Sequence, residues 1–150
     1  MSLYFLDSSS LVKRYVIEAG TPWIQSITSL ETKNQLIITR ITWVEVLSAL
    51  ARRQREGSLT VDKVDKVVQA LRYDLDTQYQ IVELDRALAE VAGELVRKHV
   101  LRAYDAVQLA AALRVQAALT STKVSFVTAD KRLNTSAEAE GLMTDNPDQH

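Results

Sequence analysis

Cysteine is absent from this chain, and histidine, proline and glycine are scarce. The 150 residues include two histidines, two prolines and four glycines. Without cysteine there is no disulfide, no thiolate nucleophile and no cysteine-ligated zinc or iron–sulfur centre. His99 and His150 have neither the spacing of a zinc-binding histidine pair nor the arrangement of a serine–histidine–aspartate triad. Catalytic chemistry, if there is any, must therefore come from carboxylates, hydroxyls, lysines and arginines.

Glycine loops and long apolar runs are missing as well. Each of the four glycines is isolated, which excludes both the G-x-G-x-x-G and the Walker A phosphate-binding loops. No apolar run approaches the roughly 18 residues that span a bilayer. The first residues lack the basic start and the small-residue cleavage site of a signal peptide. We therefore expect a cytoplasmic protein without a membrane-spanning segment.

The composition that remains is that of an ordinary globular protein. Hydrophobic residues make up 47% of the chain, charged residues make up 25%, and the formal net charge is −1. The length suits one domain. We expect that domain to cover residues 1–144, and the segment 145–150, which contains Asn146-Pro147, to form a frayed tail.

Short strand-like runs alternate with longer helical patterns. Strands are predicted at Leu3–Leu6, Leu36–Thr39, Gln80–Leu84 and Lys123–Thr128, where apolar and β-branched residues cluster. Helical spacing of apolar residues predicts helices at Ser8–Ile17, Thr21–Leu30, Thr42–Gly57, Thr60–Asp76, Asp85–His99, Tyr104–Leu119 and Asp130–Glu140. This alternation predicts an α/β fold with a mostly parallel central sheet and helices on both faces.

Four acidic residues lie where these elements meet. Asp7 follows the first strand, and Asp130 follows the last strand. Glu45 is expected in the first turn of the helix after the second strand, and Asp105 in the first turn of the alanine-rich helix. In an open α/β sheet, ligands bind in the crevice at the carboxyl ends of the strands. Each acid alone could be a helix cap, and Thr42-x-x-Glu45 fits a capping box. However, all four have apolar neighbours, which predicts partial burial that a surface cap does not need.

A shared pocket of carboxylates would require a cation. Carboxylates brought within a few ångströms repel one another and are costly to desolvate, so they stay ionised together only when a positive charge compensates them. Oxygen-only ligation favours Mg²⁺ or Mn²⁺. Such an ion polarises a phosphate and lowers the pKa of a bound water. The pattern therefore favours hydrolysis of phosphate esters.

At these residues the sequence resembles the PIN-domain nucleases, most closely the VapC-type toxins of prokaryotic toxin–antitoxin pairs. The matching segments are Asp7-Ser8, Thr42-Trp-Val-Glu45-Val, Leu101-Arg-Ala-Tyr-Asp105-Ala-Val-Gln-Leu-Ala-Ala-Ala-Leu113 and Phe126-Val-Thr128-Ala-Asp130-Lys-Arg-Leu133. They follow the family's order over nearly the whole chain. One departure is Ser9, which stands where many members have asparagine.

The resemblance implies a function for these residues. Asp7, Glu45, Asp105 and Asp130 would be both the catalytic residues and the ligands of Mg²⁺ or Mn²⁺ in a PIN-like fold. The implied activity is that of an endoribonuclease toxin of a type II toxin–antitoxin system, in which a metal-activated water cleaves RNA. Ser8 and Thr128 would orient carboxylates through hydrogen bonds. A homodimer is also implied, together with a VapB-like antitoxin that places a basic residue in the acidic pocket.

Binding of RNA needs a local basic face, because the net charge of −1 offers no general attraction. The candidate residues for this face are Lys13, Arg14, Arg52, Arg53, Arg102, Lys131 and Arg132. Among the other polar and aromatic residues, Asp85 is interpreted as a helix N-cap and His99 as a residue that stabilises a helix end. Trp23 and Trp43 are assigned to the core or to a subunit interface.

Three other functions remain open at this point. The chain could be a PIN-domain nuclease for RNA processing that has no antitoxin. It could be a non-cutting PIN-like module that binds RNA or protein, although the presence of all four acids disfavours this interpretation. A phosphatase with an aspartate nucleophile is also disfavoured, because Ser9 occupies the position where such enzymes carry their second aspartate.

Overall fold

Five short β-strands form one sheet in which every neighbouring pair is parallel. The computed structural model describes all 150 residues, and its strands are β1 (Leu3–Leu6), β2 (Gln35–Thr39), β3 (Tyr79–Val82), β4 (Ser125–Val127) and β5 (Met143–Asp145). Their order across the sheet is β3-β2-β1-β4-β5. Parallel neighbours require crossover connections, which the helices supply. The prediction of a single α/β domain with a mostly parallel sheet is confirmed.

Seven α-helices connect these strands. They are α1 (Ser8–Tyr15), α2 (Thr21–Thr28), α3 (Arg40–Arg55), α4 (Val61–Thr77), α5 (Arg86–Lys98), α6 (Ala103–Ala117) and α7 (Lys131–Ala139). Short 3₁₀ turns occupy Leu30–Thr32 and Pro147–Gln149. None of the helices combines the length and the apolar character that crossing a bilayer would require.

The core has two halves, one on each face of the sheet. Successive side chains of a strand point to opposite faces, so adjacent residues of β1 enter different halves. Phe5 packs with α5, α6 and α7 and stacks on Phe126, with 5.7 Å between the ring centroids. Leu6 packs with α1, α2, α3 and α4. Both faces of the sheet are therefore covered by helices, as predicted, and β1 lies at its centre.

Helix α3 begins two residues earlier than the sequence predicts. Thr39 is its N-cap, and the backbone N–H of Thr42 donates to the Thr39 hydroxyl over 3.2 Å. Thr42 is consequently inside the helix, and the capping box that it could form with Glu45 does not exist. The expectation that Glu45 lies in the first turn is also wrong, because a start at Arg40 puts Glu45 in the second turn.

Residues 145–150, which the sequence analysis assigns to a frayed tail, are part of the fold. Asp145 ends β5, which pairs with β4, and Pro147 is buried. Pro147 lies so close to Gly20 that a Cβ atom at position 20 would be 2.4 Å from the Pro147 carbonyl oxygen. The ring of His150 stacks on Trp23, with 4.0 Å between centroids. The tail is ordered because β4 and α2 supply partners that are distant in sequence.

Candidate functional site

A cleft of about 700 Å³ lies at the carboxyl ends of β1 and β4. All four predicted acids line it, and they reach it from four separate parts of the chain: Asp7, Glu45, Asp105 and Asp130. Exposed apolar side chains, including Val44 and Tyr104, form part of its rim. The cleft thus brings together the residues that the sequence analysis selects.

Asp7 is the most deeply buried of the four acids, with 3% of its surface exposed. It is the N-cap of α1, and the N–H of Ser10 donates to its Oδ1 atom over 3.0 Å. The Ser9 hydroxyl donates to the same oxygen over 2.7 Å, and the Thr128 hydroxyl donates to Oδ2 over 2.5 Å. Burial raises the pKa of Asp7 to about 6, although these hydrogen bonds act in the opposite direction.

Two hydroxyl groups join the end of β4 to the start of α1 around Asp7. The Ser9 oxygen also accepts from the N–H of Ala129, and the Thr128 oxygen accepts from the N–H of Asp130. Thr128 therefore contacts a carboxylate, as the sequence predicts. Ser9 contacts it too, although the sequence motifs did not predict this contact.

Glu45 is held by a side chain that the sequence analysis missed. The Nε2 atom of Gln108 donates to Glu45 Oε1 over 2.8 Å and to the Thr42 hydroxyl over 2.9 Å. Burial raises the pKa of Glu45, and the charge of Asp105 adds to this rise, whereas Gln108 and the nearby Ser8 side chain lower it. Gln108 lies three residues after Asp105 and is 1% exposed. In the sequence, the available sign of such a role was a polar amide side chain within an otherwise apolar, alanine-rich helix.

Asp105 and Asp130 share one arginine. Arg102 Nε lies 3.1 Å from Asp105 Oδ2, and an Arg102 terminal nitrogen lies 3.4 Å from Asp130 Oδ2. Asp130 is also the N-cap of α7, since it accepts from the N–H groups of Arg132 and Leu133. The capping and cleft-lining roles of Asp130 are therefore compatible.

The donor set of the cleft suits a hard divalent cation, although the acids are not arranged as a finished metal site. All four side chains offer only oxygen, which Mg²⁺ and Mn²⁺ prefer. No three acidic or histidine side chains anywhere in the chain are grouped closely enough to hold an ion as they stand. The Arg102 guanidinium lies between Asp105 and Asp130. A cation that bound both of these Oδ2 atoms would have to displace it.

Four of the basic candidates line the cleft, namely Lys13, Arg52, Arg53 and Arg102. Arg52 is exposed and has no ionic partner, whereas Arg53 is paired with Glu18 over 3.0 Å. Glu45 and Arg52 are seven residues apart on α3, which places them on the same side of the helix, about 10 Å apart along its axis. One wall of the cleft therefore runs from an acidic end to a basic end.

The structure does not support Lys13 and Arg14 as freely exposed RNA-binding residues. Lys13 lines the cleft, but it is 6% exposed and is paired with Glu18 and Asp148. Arg14 lies outside the cleft, where it donates to the Tyr79 hydroxyl over 2.6 Å and lies 3.4 Å from Asp74. The sequence showed two adjacent cations, whereas the fold supplies each of them with a distant partner.

The remaining candidates do not line the cleft. Lys131 and Arg132 are exposed in the first turn of α7 but do not line the cleft. Asp85 is the N-cap of α5, as predicted, and is paired with Arg114. His99 is the C-cap of α5, where its backbone N–H donates to the Leu95 carbonyl, and its ring lies 2.8 Å from Glu140.

The two tryptophans are partly buried and pack against the half of the core formed with α1 to α4. Trp23 lies under the His150 ring, and the Trp43 ring lies 4.7 Å from the guanidinium carbon of Arg72. Their assignment to the core is thus supported in part.

Comparisons with known proteins agree with this geometry. A family model described as the PIN domain matches residues 4–138. The chain is 30% identical over 141 residues to Ribonuclease VapC45 of Mycobacterium tuberculosis, covering 94% of this chain and 93% of the relative. A VapBC2 structure from Rickettsia felis, bound to a promoter DNA fragment, has a TM-score of 0.66 at 13% identity and covers 96% of this chain and 98% of that chain.

A second solved structure is similar to the same extent. It is VapC20 of Mycobacterium tuberculosis, whose description calls it a toxin that cleaves the sarcin–ricin loop. Its TM-score is 0.66 at 16% identity, with coverage of 93% of this chain and 96% of that chain. At these identities the two structures establish the likeness of the fold.

Proposed function

Because this chain belongs to the PIN domain family, we propose that it is a metal-dependent endoribonuclease that acts as the toxin of a type II toxin–antitoxin system. The observation that carries this proposal is the convergence of Asp7, Glu45, Asp105 and Asp130 in one cleft. VapC45, which is similar to this chain over 94% of its length, is named a ribonuclease, and this supports RNA as the substrate class.

The four acids would hold Mg²⁺ or Mn²⁺. When bound, the ion supplies a water of lowered pKa and polarises the phosphodiester. Before any ion binds, Ser9 and Thr128 fix both oxygens of the Asp7 carboxylate. Gln108 fixes Oε1 of Glu45 and leaves Oε2 without that hydrogen bond.

The basic end of the cleft would bind the RNA backbone. Arg52 is exposed and has no carboxylate partner, so its guanidinium is free to contact a phosphate. Arg53 would hold Glu18 in place, because the two side chains already form an ion pair. The spacing of about 10 Å along α3 between Glu45 and Arg52 would separate the cleaved bond from this second contact.

Cleavage of RNA by the purified protein tests the proposed activity. Structured RNAs with single-stranded loops should be cut in Mg²⁺ or Mn²⁺ and left intact in EDTA, because accessible backbone lies in the loops. Asp105→Asn should abolish cutting, while its circular dichroism spectrum remains that of the wild type. Undiminished cutting in EDTA, or by Asp105→Asn, would contradict the metal mechanism.

We also propose, as the partner, a VapB-like antitoxin that places a basic residue in the acidic pocket. The solved VapBC2 structure is similar in fold, and the cleft already accepts a guanidinium from Arg102. An arginine or lysine of the partner would bind the same carboxylates. Co-expression with a small protein from the adjacent reading frame should yield a stable complex without RNase activity. An active complex would contradict this mode of inhibition.

The proposed assembly is a homodimer that acts in the cytoplasm on cellular RNA. Light scattering on the purified protein should give twice the mass of 16.8 kDa that one chain has. A monomeric mass at micromolar concentration would contradict the dimer and leave the catalytic proposal intact.

A further inference from the structure

Arg102 occupies an unusual place in the cleft. It lies immediately before α6, and its guanidinium contacts Oδ2 of Asp105 over 3.1 Å and Oδ2 of Asp130 over 3.4 Å. These two carboxylates belong to different helices, and they are two of the four acids that would ligate a cation. One positive charge thus links two of the proposed metal ligands.

Little besides these two carboxylates holds the guanidinium in place. The Arg102 side chain is 80% exposed, and although Arg102 is the N-cap residue of α6, its side chain makes no capping hydrogen bond. Exposed ion pairs of long side chains are weak, because water screens them and ordering the side chain costs entropy. The contact therefore offsets part of the negative charge of the acids without fixing the arginine permanently.

We propose that Arg102 is an exchangeable internal counter-ion of the metal site. Its guanidinium offsets part of the negative charge of Asp105 and Asp130 in the metal-free protein and leaves them when a divalent cation binds. This inference rests on the proposed metal-dependent function. Since the guanidinium and the divalent cation compete for the same two carboxylates, Arg102 lowers the apparent affinity of the site for the metal.

A second arginine of the chain provides a matched control. Arg114 donates hydrogen bonds of 3.0 and 2.8 Å to Asp85, which is the N-cap of α5 just as Asp130 is the N-cap of α7. The Arg114 contact lies outside the cleft, and the arginine reaches no second acid. Removing Arg114 thus breaks the same kind of ion pair far from the metal site.

Arg52 provides a control for electrostatic effects over longer distances. It lines the same cleft as Arg102 but contacts no carboxylate. Arg52→Gln therefore removes one positive charge from the cleft while leaving the contacts of Asp105 and Asp130 unchanged. Direct exchange and general charge repulsion can then be distinguished.

Isothermal titration calorimetry of Mn²⁺ into EDTA-stripped protein at pH 7.5 measures the exchange. Arg102→Gln should bind Mn²⁺ about two- to fivefold more tightly than the wild type, which is the size expected for loss of a competing exposed ion pair. Arg102→Lys should fall between them, because an ammonium group does not offer the planar fork of a guanidinium. Arg114→Gln should equal the wild type, and Arg52→Gln should change the affinity less than Arg102→Gln.

The outcomes separate this inference from the proposed function. If the wild type binds Mn²⁺ and Arg102→Gln binds it equally or more weakly, Arg102 is not a competitor. If Arg52→Gln tightens binding as much as Arg102→Gln does, long-range charge explains the effect and direct exchange is wrong. A wild type that binds no Mn²⁺ would overturn the metal site itself. Circular dichroism and thermal melts of each variant check that the fold is retained.

Discussion

Three helices of this protein begin with an aspartate N-cap, and two of these aspartates, Asp7 and Asp85, have opposite electrostatics. Asp7 caps α1 through the N–H of Ser10, and Asp85 caps α5 through the N–H of Leu88. Burial raises the pKa of Asp7 to about 6, whereas the hydrogen bonds from exposed Arg114 lower the pKa of Asp85 to about 2. Local capping is the same at both sites, so capping alone does not identify a functional acid.

The difference comes from residues that are distant in sequence. Thr128 lies 121 residues from Asp7 and donates to it inside the core. The partner of Asp85 is a surface arginine that water also reaches. A carboxylate kept in a buried place at an energetic cost indicates a role other than stability.

The largest expected difference is in RNA cleavage. Asp7→Asn should lower the rate about a thousandfold, or about 4 kcal/mol, because it removes a charged ligand from the proposed metal site. Asp85→Asn should cleave at the wild-type rate. Single-turnover cleavage of a labelled RNA in Mn²⁺ measures both rates. Similar activities of the two variants would remove the functional distinction between the two caps.

The second prediction concerns the pH dependence of stability in the absence of metal. The folded protein holds a proton on Asp7 up to about pH 6, while the unfolded chain loses it near 3.8. The Asp7 contribution to the free energy of unfolding is therefore greatest below pH 3.8 and declines by about 3 kcal/mol as the pH rises through 6. Urea unfolding in EDTA should show this decline in the wild type and a flatter profile in Asp7→Asn.

The contribution of Asp85 to the free energy of unfolding should change with pH in the opposite direction. Its pKa is lowered in the folded protein, so its contribution is present above the unfolded pKa and is lost as the pH falls from about 4 towards 2. Asp85→Asn should flatten the stability profile only in that acidic range. An effect of Asp85→Asn between pH 5 and 7 would contradict the assignment.

The smallest expected difference concerns the partners of the two caps. Thr128→Val removes a buried hydroxyl that donates to Asp7 and should lower the free energy of unfolding at pH 7.5 by about 2 kcal/mol. Arg114→Gln removes an exposed donor to Asp85 and should change stability little, since water replaces it. If urea unfolding showed an equal loss of unfolding free energy in the two variants, burial would not distinguish the two sites.

The sequence predicted most of the fold because the strands that build it carry apolar, β-branched runs. Strand β5 was missed, because Met143-Thr144-Asp145 has no such run and forms a strand only by pairing with β4. Lys13 and Arg14 looked like surface cations for a similar reason. Their partners Asp148 and Tyr79 follow in the sequence by many residues and are brought near only by the fold.

Within the candidate site, the four acids could be found because their motifs are local. Gln108 could not be assigned to Glu45, since a single amide in α6 gives no sign of which helix it faces. Ser9 and Asp7, which are in contact, lie only two residues apart in the sequence. The hydrogen bond between Ser9 and Ala129, however, depends on how β4 is placed beside β1. Side chains that support the acids through tertiary contacts thus remained beyond sequence reasoning.

The position of β1 at the centre of the sheet has a consequence for synthesis of the chain on the ribosome. Asp7 emerges early, but β4, Thr128 and Asp130 follow more than 115 residues later. A nascent chain can pair β1 with β2, yet it lacks one wall of the cleft until residue 130 has emerged. Contacts so distant in sequence also form slowly. A growing or prematurely released chain therefore carries an incomplete cleft, and the ribosome that makes the protein is not exposed to the finished site during most of its synthesis.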